Sequence, residues 1–507
     1  MRRPAGSAWL GLALLSAACT GELITPHLLP PPGVTPGSTP ALAIRIGGTD
    51  ADQITAEAVD PSGNVYVAGT FTGAAQFNPA GATNALISLG LTDGFVAKYS
   101  SSGVLAWAVR FGGTGAETVT SLVRDNAGNL YVGGGFEGTA NFGSGSGAPA
   151  LFSAGAEDGF VAKLGGDGSF VWARRFGATS ADEVEDLALD PAGNVYAAGV
   201  FSGRADALPA TGGEVLANGS ETDGFVLSFD PSGSVRWAFG VGGTDADHAD
   251  AVRVTSGSEV VVAGVFRGTA DFAPGTATSG LVSQGGGDVF VAAYSTAGAL
   301  LWARGIGGPG DENVSLGGLA ADASGGVALT GTFGGSVDFD PGTGLATRTS
   351  IGTSDAYVVR LDGAGAYQSA FTVGGTGLAH ATHLAFASDG NVIAAGAFSG
   401  TVDFDPGTGT RALGALGAGG SDVFVAKYTP AGALVWVSRF GDAVTGAGKL
   451  NLATSVGTDA FGAVYVAGVF FSTPNFDPGG GNFRLTSLGG ADGFLVKLTA
   501  DGLLALP

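Results

Sequence analysis

The sequence predicts an all-β protein, a seven-bladed β-propeller with four-stranded antiparallel blades. One unit of about 65 residues recurs seven times between residues 41 and 507, and four tryptophans 65 residues apart mark successive copies: Trp107, Trp172, Trp237 and Trp302. Each copy contains short apolar segments separated by turn signals, and no window shows a sustained 3.6-residue apolar period. A repeated unit of four strands is typical of a propeller.

The first copy shows the elements of a unit in order. Residues 54–59 form strand A, and Asp60 to Asn64 form a tight turn, because Asp accepts backbone N–H bonds and Gly takes positive φ. Strand B begins at residues 65–68. Strand C covers residues 95–99, which alternate with period 2, and strand D covers residues 104–111 after a second turn. We expect the tryptophans of the D strands to pack between blades rather than to bind sugars.

Composition limits the classes of protein that fit this chain. Glycine supplies 93 of the 507 residues, and hydrophobic residues make up 45%, which excludes a disordered chain. Charged residues reach only 13%, which argues against coiled coils and long exposed helices. The net charge is −22 and no basic stripe is present, so we expect no nucleic-acid partner.

The N-terminus has the features of an export signal. Residues 1–18 combine a basic start with a short apolar stretch, and they lead into Cys19, the single cysteine of the chain. This region resembles the lipobox of bacterial lipoproteins, although Ser16 stands where a leucine is usual. Lipidation of Cys19 and ordinary signal cleavage both remain open. Residues 19–40 are rich in proline and are interpreted as a spacer before the propeller at 41–507.

The repeated text resembles a known family. DPSGNVYVAGTF, DGFVAKYSSSGVLAWAVRFGG and their copies are similar to bacterial β-propeller-repeat (SBBP-type) proteins, over the whole of 41–507. With the lipobox-like Cys19, the resemblance implies a lipoprotein of that family, exported or attached to the cell surface. It implies no catalytic residues.

The two ends of the repeat region predict how the ring closes. Residues 502–506 match the first half of a D strand, and residues 42–48 match the second half. The two segments are therefore expected to complete one outer strand of the seventh blade, which removes an open sheet edge.

An acidic residue recurs ten positions after the tryptophan position. The D–A and B–C connections share one face of the disc, and we expect this face to bind partners because its segments are longer and more variable. At the start of strand A, the last two units have Ala379 and Gly446 at this position. The other five carry a carboxylate that we expect to line the channel mouth: Asp52, Glu117, Asp182, Asp247 and Glu312. The alternative is that these acids only keep the face soluble.

The B–C connections suggest a calcium site. Asp338 and Asp340, and likewise Asp403 and Asp405, flank a phenylalanine before Pro-Gly, and Asp477 belongs to a third version. Residues i and i+2 of an extended segment point the same way, so each pair offers two carboxylates to Ca²⁺. A plain Asp-Pro-Gly turn explains the same pattern.

The sequence favours a non-catalytic, surface-anchored propeller that binds a protein or a glycan at the cell envelope or serves as a scaffold there. The alternative is a polysaccharide hydrolase or lyase with acids at the channel mouth. No cofactor is required by either hypothesis, and Ca²⁺ is the one candidate ion. We expect a monomer that is exported to the outer membrane or cell surface and touches the membrane only through its lipid, or that is secreted.

Overall fold

The computed structural model describes residues 42–78, 85–143, 149–206, 215–273, 279–417, 419–443 and 450–505. These residues all belong to the second of two units, Thr39–Pro507. The expected signal peptide, Cys19 and the spacer lie outside the described residues, as does Leu506. No helix long and apolar enough to cross a membrane occurs in the described part of the chain.

The described residues form the predicted seven blades of antiparallel strands. The chain begins with β1 (Ala43–Gly48). Blade 1 contains β2 (Asp52–Val59), β3 (Val65–Phe71), β4 (Ala74–Gln76), β5 (Ala85–Ile87), β6 (Asp93–Tyr99) and β7 (Leu105–Gly113). Blade 2 contains β8 (Glu117–Arg124), β9 (Leu130–Phe136), β10 (Thr139–Asn141), β11 (Ala150–Phe152), β12 (Asp158–Leu164) and β13 (Phe170–Phe176). Blade 3 contains β14 (Glu183–Leu189), β15 (Val195–Asp206), β16 (Val215–Phe229) and β17 (Val235–Gly243).

The remaining blades follow the same plan. Blade 4 contains β18 (His248–Val254), β19 (Glu259–Phe266), β20 (Thr269–Asp271), β21 (Gly280–Val282), β22 (Asp288–Ser295) and β23 (Leu300–Ile306). Blade 5 contains β24 (Leu319–Ala321), β25 (Val327–Phe333), β26 (Ser336–Asp338), β27 (Thr347–Thr349), β28 (Asp355–Leu361) and β29 (Tyr367–Gly375). Blade 6 contains β30 (Ala379–Phe386), β31 (Val392–Phe398), β32 (Thr401–Asp403), β33 (Ala412–Gly414), β34 (Asp422–Tyr428) and β35 (Leu434–Phe440). Blade 7 contains β36 (Leu452–Thr458), β37 (Val464–Phe470) and β38 (Asp492–Leu498), and β1 is its fourth strand.

Short hairpins in the B–C connections extend the expected four-stranded sheets to as many as six strands. Four of them, β4–β5, β10–β11, β20–β21 and β32–β33, pair with the end of strand D in the preceding blade. Glycine ends strand D because the hairpin backbone comes very close. A Cβ on Gly48 would lie 1.9 Å from the carbonyl oxygen of Ala74, and one on Gly113 would lie 1.6 Å from that of Thr139.

The apolar core lies between neighbouring blades, because each sheet presents a face to the sheet on either side. One cluster joins Tyr131 and Val161 of blade 2 to Leu187 and Phe225 of blade 3. The hairpins contribute a buried phenylalanine each, and Phe77 is an example with no exposed surface. Its carbonyl oxygen accepts a 2.7 Å hydrogen bond from the buried hydroxyl of Tyr99, a contact repeated in blades 4 and 6.

The tryptophans connect adjacent blades, as the sequence predicted. The indole of Trp172 donates a 3.2 Å hydrogen bond to the carbonyl oxygen of Pro231, in the C–D turn of the next blade. Trp237, Trp302 and Trp436 make the same bond to their following turns. In blade 5 Ser369 replaces tryptophan, and its hydroxyl donates to the carbonyl oxygen of Pro430 over 2.9 Å. The position therefore fastens one blade to the next.

A glycine in each of these turns lies against the indole ring, which gives a stability prediction. Gly233 has φ of +80°, and a Cβ there would lie 2.8 Å from a ring carbon of Trp172. Gly390 also has φ of +80°, with nothing within 4 Å of a Cβ. Both alanine variants should lose about 1–3 kcal/mol through backbone strain. Gly233→Ala should lose about 1–3 kcal/mol more through overpacking. Equal losses in urea denaturation would contradict a role for the indole contact.

The two ends of the described chain meet on one strand of blade 7. β1 pairs antiparallel with β38, with Ala43 opposite Val496 and Ile46 opposite Gly493. The amide of Lys497 donates to the carbonyl oxygen of Leu42 over 2.8 Å, and the carbonyl oxygen of Lys497 accepts from the amide of Ala505 over 2.9 Å. The fourth strand of blade 7 is thus assembled from both ends of the described chain.

Candidate functional site

The five acids that the sequence places at the channel mouth are buried. The prediction that their side chains line the channel is therefore wrong. Each is at most 2% exposed: Asp52, Glu117, Asp182, Asp247 and Glu312. Their carboxylates accept hydrogen bonds from the backbone, which turns them away from solvent. The D–A connection is therefore held in place by the side chain that follows it.

The pattern of these bonds is regular. Asp52 accepts from the amide of Gly48, four residues earlier, over 2.6 Å, and from the amide of Thr72, twenty residues later, over 3.2 Å. Asp182 and Asp247 repeat both bonds. Glu117 and Glu312 make the first of them, to Gly113 and Gly308. One side chain thus ties the D–A connection to strand A.

The repeat spacing places Gly446 at the position of the buried acid in blade 7. In the structure Asn451 takes this role. Asn451 is 5% exposed, and its side-chain oxygen accepts from the amide of Phe471, twenty residues later, over 3.0 Å. The connection before blade 7 is five residues longer than the repeat predicts, and Gly446 lies outside the described residues. The amide acceptor and the twenty-residue spacing identify Asn451.

A second buried acid, at the start of strand C, faces each of the five across the blade boundary. Asp492 lies beside Asp52, and a Cβ on the intervening Gly47, at φ of +149°, would lie 1.9 Å from an oxygen of Asp492 and 2.8 Å from one of Asp52. The other facing pairs are Asp93 with Glu117, Asp158 with Asp182, Asp223 with Asp247 and Asp288 with Glu312. Buried carboxyls so close together cannot all ionise freely.

The pKa values of these pairs reflect their burial. Desolvation raises the pKa of Glu117 to about 8, that of Asp52 to about 7 and that of Glu312 to about 7. A neighbouring arginine compensates some pairs. Arg45 lies 3.4 Å from Asp492, and Arg110 contacts Asp93.

The residue after each buried acid is the one that reaches the channel mouth. Gln53 and Asn313 are exposed, and the other members of this ring are half-buried. The ring consists of Gln53, Thr118, Glu183, His248, Asn313, His380 and Leu452. Side chains alternate along a strand, so a one-residue error moves the predicted set to the wrong face. The repeat spacing alone does not show whether the acid or the residue after it is the buried one.

Exposed aliphatic residues recur on the face formed by the D–A and B–C connections, which we name the loop face. We name the group the apolar crescent, and its members are 45–73% exposed: Leu89, Leu91, Ile351, Leu378, Leu416 and Leu488. They belong to blades 1, 5, 6 and 7, which are consecutive around the ring. The amides of Leu89, Ile351, Leu416 and Leu488 donate to the strand-C aspartates, which fixes these residues with their side chains outward.

The same face carries acids over blades 2, 3 and 4. We name this group the acidic sector, and its members are exposed or half-buried: Glu137, Glu157, Glu183, Glu221, Asp245 and Asp311. Asp311 forms a 3.0 Å ion pair with Arg267. The loop face therefore carries acids beside the apolar crescent, and the B–C hairpins of blades 2 and 4 also expose Phe152 and Val282.

The Asp-Phe-Asp-Pro-Gly segments form side-chain-capped turns. Asp338 accepts from the amide of Ala346 over 2.7 Å, and Asp340 accepts from that of Gly342 over 2.8 Å. Asp403 and Asp405 repeat both bonds, and Asp477 accepts from the amide of Gly479. Across the described part of the chain, no three His, Cys, Asp or Glu side chains are grouped to hold a metal ion.

Calcium binding by these turns stays a prediction. Bound Ca²⁺ would raise the melting temperature beyond the shift that Mg²⁺ gives at equal ionic strength, because Mg²⁺ prefers a tighter octahedral shell. Asp340→Asn with Asp405→Asn would reduce that difference. Equal shifts from both ions would leave the segments as plain turns.

The opposite face, formed by the A–B and C–D turns, holds two shallow depressions. One, of about 520 Å³, lies among the A–B turns of blades 2, 3 and 4, with Arg124, Asp125 and Asp190 in its wall. The other, of about 410 Å³, lies among those of blades 5, 6 and 7, with Asp322 and Asp459 in its wall. Asp125 and Asp190 each cap their own turn by accepting bonds from Asn129 and Asn194.

Comparison with known families agrees with the fold. Residues 171–200, which cover the Trp172 strand and strand A of blade 3, match the family model described as the β-propeller repeat, SBBP. Residues 171–200 therefore carry one β-propeller repeat of this type.

The curated relatives that match this chain are distant. "Regulatory protein FlaEY" of Caulobacter vibrioides is 27% identical over 428 residues, which are 78% of this chain and 41% of the relative. "Uncharacterized WD repeat-containing protein L264" of Acanthamoeba polyphaga mimivirus is 22% identical over 450 residues, 76% of this chain and 32% of the relative. The chain thus spans less than half the length of either relative. Among solved structures, Sqt1 from Chaetomium thermophilum matches with a TM-score of 0.39 and 11% identity, over 85% of this chain and 97% of that one. A TM-score this low supports no conclusion.

Proposed function

We propose that the protein is a non-catalytic binding module that holds a protein partner on its loop face, at the cell envelope. The apolar crescent is the observation that carries this proposal. Aliphatic side chains held outward on consecutive blades, four of them at the same place in the repeat, form the kind of surface that monomeric proteins seldom leave uncovered. All six members are aliphatic, which favours a protein over a glycan, since sugars are usually stacked on aromatic rings.

The acidic sector adds a charge preference. A partner that covers the whole loop face would place apolar side chains on the crescent and basic side chains over blades 2, 3 and 4, where opposite charges favour encounter and orientation. A polysaccharide hydrolase or lyase is less well supported, because the five acids assigned to it accept backbone amides and are at most 2% exposed.

Matched surface variants test the proposal. Leu89→Ser with Ile351→Ser and Leu488→Ser removes apolar surface from the loop face. Val104→Ser with Val171→Ser and Val435→Ser removes surface of 49–63% exposure from the D strands as a control. When it is immobilised, the full chain should retain a protein from the cell envelope. The control variant should retain the same protein, and the loop-face variant should not. Equal retention by both variants would contradict the proposal, and glycan-array binding in place of protein binding would favour a glycan partner.

We further propose that Cys19 carries the anchoring lipid. Cys19→Ser should move the protein from the membrane fraction to the soluble fraction after cell breakage, because a serine cannot receive a thioether-linked lipid. The measurement is the distribution of protein between the two fractions. Unchanged membrane association would contradict the lipoprotein interpretation and leave ordinary signal cleavage.

A further inference from the structure

Six of the seven A strands contain a β-bulge. The register of pairing between strands A and B shifts at the same place in six blades, between Ile54 and Ala56 in blade 1, for example. The bulge leaves one residue per blade unpaired, and Ser315 takes the equivalent place in blade 5. The seven residues are Thr55, Thr120, Glu185, Asp250, Ser315, Thr382 and Thr454.

Five of the seven are hydroxyl residues, and their hydroxyls are used. Thr120 donates to the carbonyl oxygen of Val184 in the next blade over 2.7 Å, and Thr382 donates to that of Ala453 over 2.6 Å. Ser315 and Thr454 make the same connection, to Ala381 and Ile54. The bulge position therefore links neighbouring blades around the channel.

Glu185 and Asp250 interrupt this ring in consecutive blades. Their residues are 9% and 3% exposed, and neither carboxyl has a hydrogen bond to any described residue. His248 is the nearest ionisable partner of Asp250, at 3.9 Å, which is too far for a hydrogen bond. A carboxyl with so little access to water and no hydrogen bond is costly to ionise.

The surroundings of Glu185 add negative charge. Glu157, Glu183, Asp186 and Asp250 all act on its carboxyl electrostatically. The single hydroxyl of Thr118 lies 3.0 Å from an oxygen of Glu157 and 2.8 Å from one of Glu183. The shared hydroxyl therefore brings two of these acids close together.

The arginine that lies nearest in this group is engaged by another acid. Arg253 contacts Asp186, which also accepts from the hydroxyl of Ser121 and the amide of Val252. Burial, with a smaller effect of the positive charge of Arg267, lowers the pKa of His248, and burial raises the pKa of Asp250 to about 7. The side chain of His248 is 30% exposed and that of Asp250 is 4% exposed, so His248 lies between Asp250 and solvent.

We propose that Glu185 and Asp250 bind one ammonium or guanidinium group that enters the channel from the loop face, a lysine or arginine side chain of the protein partner. This inference rests on the proposed function and identifies one contact within it. An organic cation fits better than a metal ion, because no three acidic or histidine side chains of the described residues are grouped around a common point. Two carboxylates suffice for charge-assisted hydrogen bonds to one cationic side chain.

A short peptide tests the contact without the partner. The probes are acetyl-Gly-Gly-Arg-Gly-Gly-amide, its lysine counterpart, and a third peptide in which citrulline replaces arginine with nearly the same shape and no charge. The full chain should bind at least one cationic peptide in titration calorimetry and should bind the citrulline peptide at least tenfold more weakly. Glu185→Gln with Asp250→Asn should reduce binding of the cationic peptide at least tenfold. Asp340→Asn with Asp405→Asn removes the same charge elsewhere and should leave binding within twofold.

A second variant distinguishes loss of the binding groups from misfolding of the chain. Glu185→Thr with Asp250→Thr installs the hydroxyl that other blades use, and it should melt no lower than the native chain while losing the cationic peptide. Equal binding of arginine and citrulline peptides, unchanged binding in both channel variants, or displacement of the peptide by Ca²⁺ would overturn the inference. The proposed function is judged separately, because the loop-face leucine variant should lose the partner protein and still bind the short peptide.

Discussion

Ile46→Ala is expected to lower the free energy of unfolding of the whole propeller by about 2–5 kcal/mol. Ile46 has no exposed surface and packs in one cluster with Val65 and Val67 of blade 1 and Leu495 of blade 7. Truncation to alanine leaves a cavity between the last and the first blade. Urea denaturation followed by fluorescence measures the loss.

Residues at the other end of the same composite strand provide the control. Leu503 is 50% exposed, so Leu503→Ala should change stability by less than about 0.5 kcal/mol. Leu504 is 5% exposed and packs with Val496 and Leu498, so Leu504→Ala should resemble Ile46→Ala. A loss below about 0.5 kcal/mol for Ile46→Ala would mean that β1 frays without consequence. In that case pairing of the chain ends would not hold the blades together.

Sequence reasoning succeeded where one residue determines its own surroundings. Asp60 accepts from the amides of Ser62 and Asn64, both over 2.9 Å, as its turn sequence predicts. These partners lie within four residues, so spacing and residue type suffice. The repeat then extends the same turn to the other blades.

It failed where a side chain depends on distant backbone. Asp52 is buried because the amides of Gly48 and Thr72 converge on it, and Thr72 is twenty residues away, just after the end of the next strand of the blade. The bulge at Thr55 leaves no mark in the alternation of polar and apolar residues. The apolar crescent was missed because Leu89 and Ile351 read as ordinary core residues until their amides are seen bound to the strand-C aspartates.

The buried carboxyl pairs make stability depend on pH in an unusual direction. An acid whose pKa is higher in the folded than in the unfolded state binds its proton more tightly when folded. Its stabilising contribution is complete below the unfolded pKa and is lost as pH rises through the folded value. The pKa rises from 4.5 to about 8 for Glu117 and from 3.8 to about 7 for Asp182. The free energy of unfolding should therefore be greatest near pH 4 to 5 and fall toward pH 8.

Glu117→Gln should remove part of this dependence. The groups that act on the Glu117 carboxyl are Asp93, Arg110 and Glu137, and its oxygen accepts from the amide of Gly113. Glutamine keeps that acceptor and replaces the proton with an amide donor, so it resembles the protonated acid at every pH. One pKa unit corresponds to about 1.4 kcal/mol, so the variant should gain at least about that much stability relative to the native chain between pH 5 and pH 8.5. Glu221→Gln removes an exposed charge from blade 3 that does not act on Glu117, and it should leave the profile unchanged in shape. A gain that is equal at both pH values, or equal in the two variants, would show that Glu117 is ionised in the folded protein throughout this range.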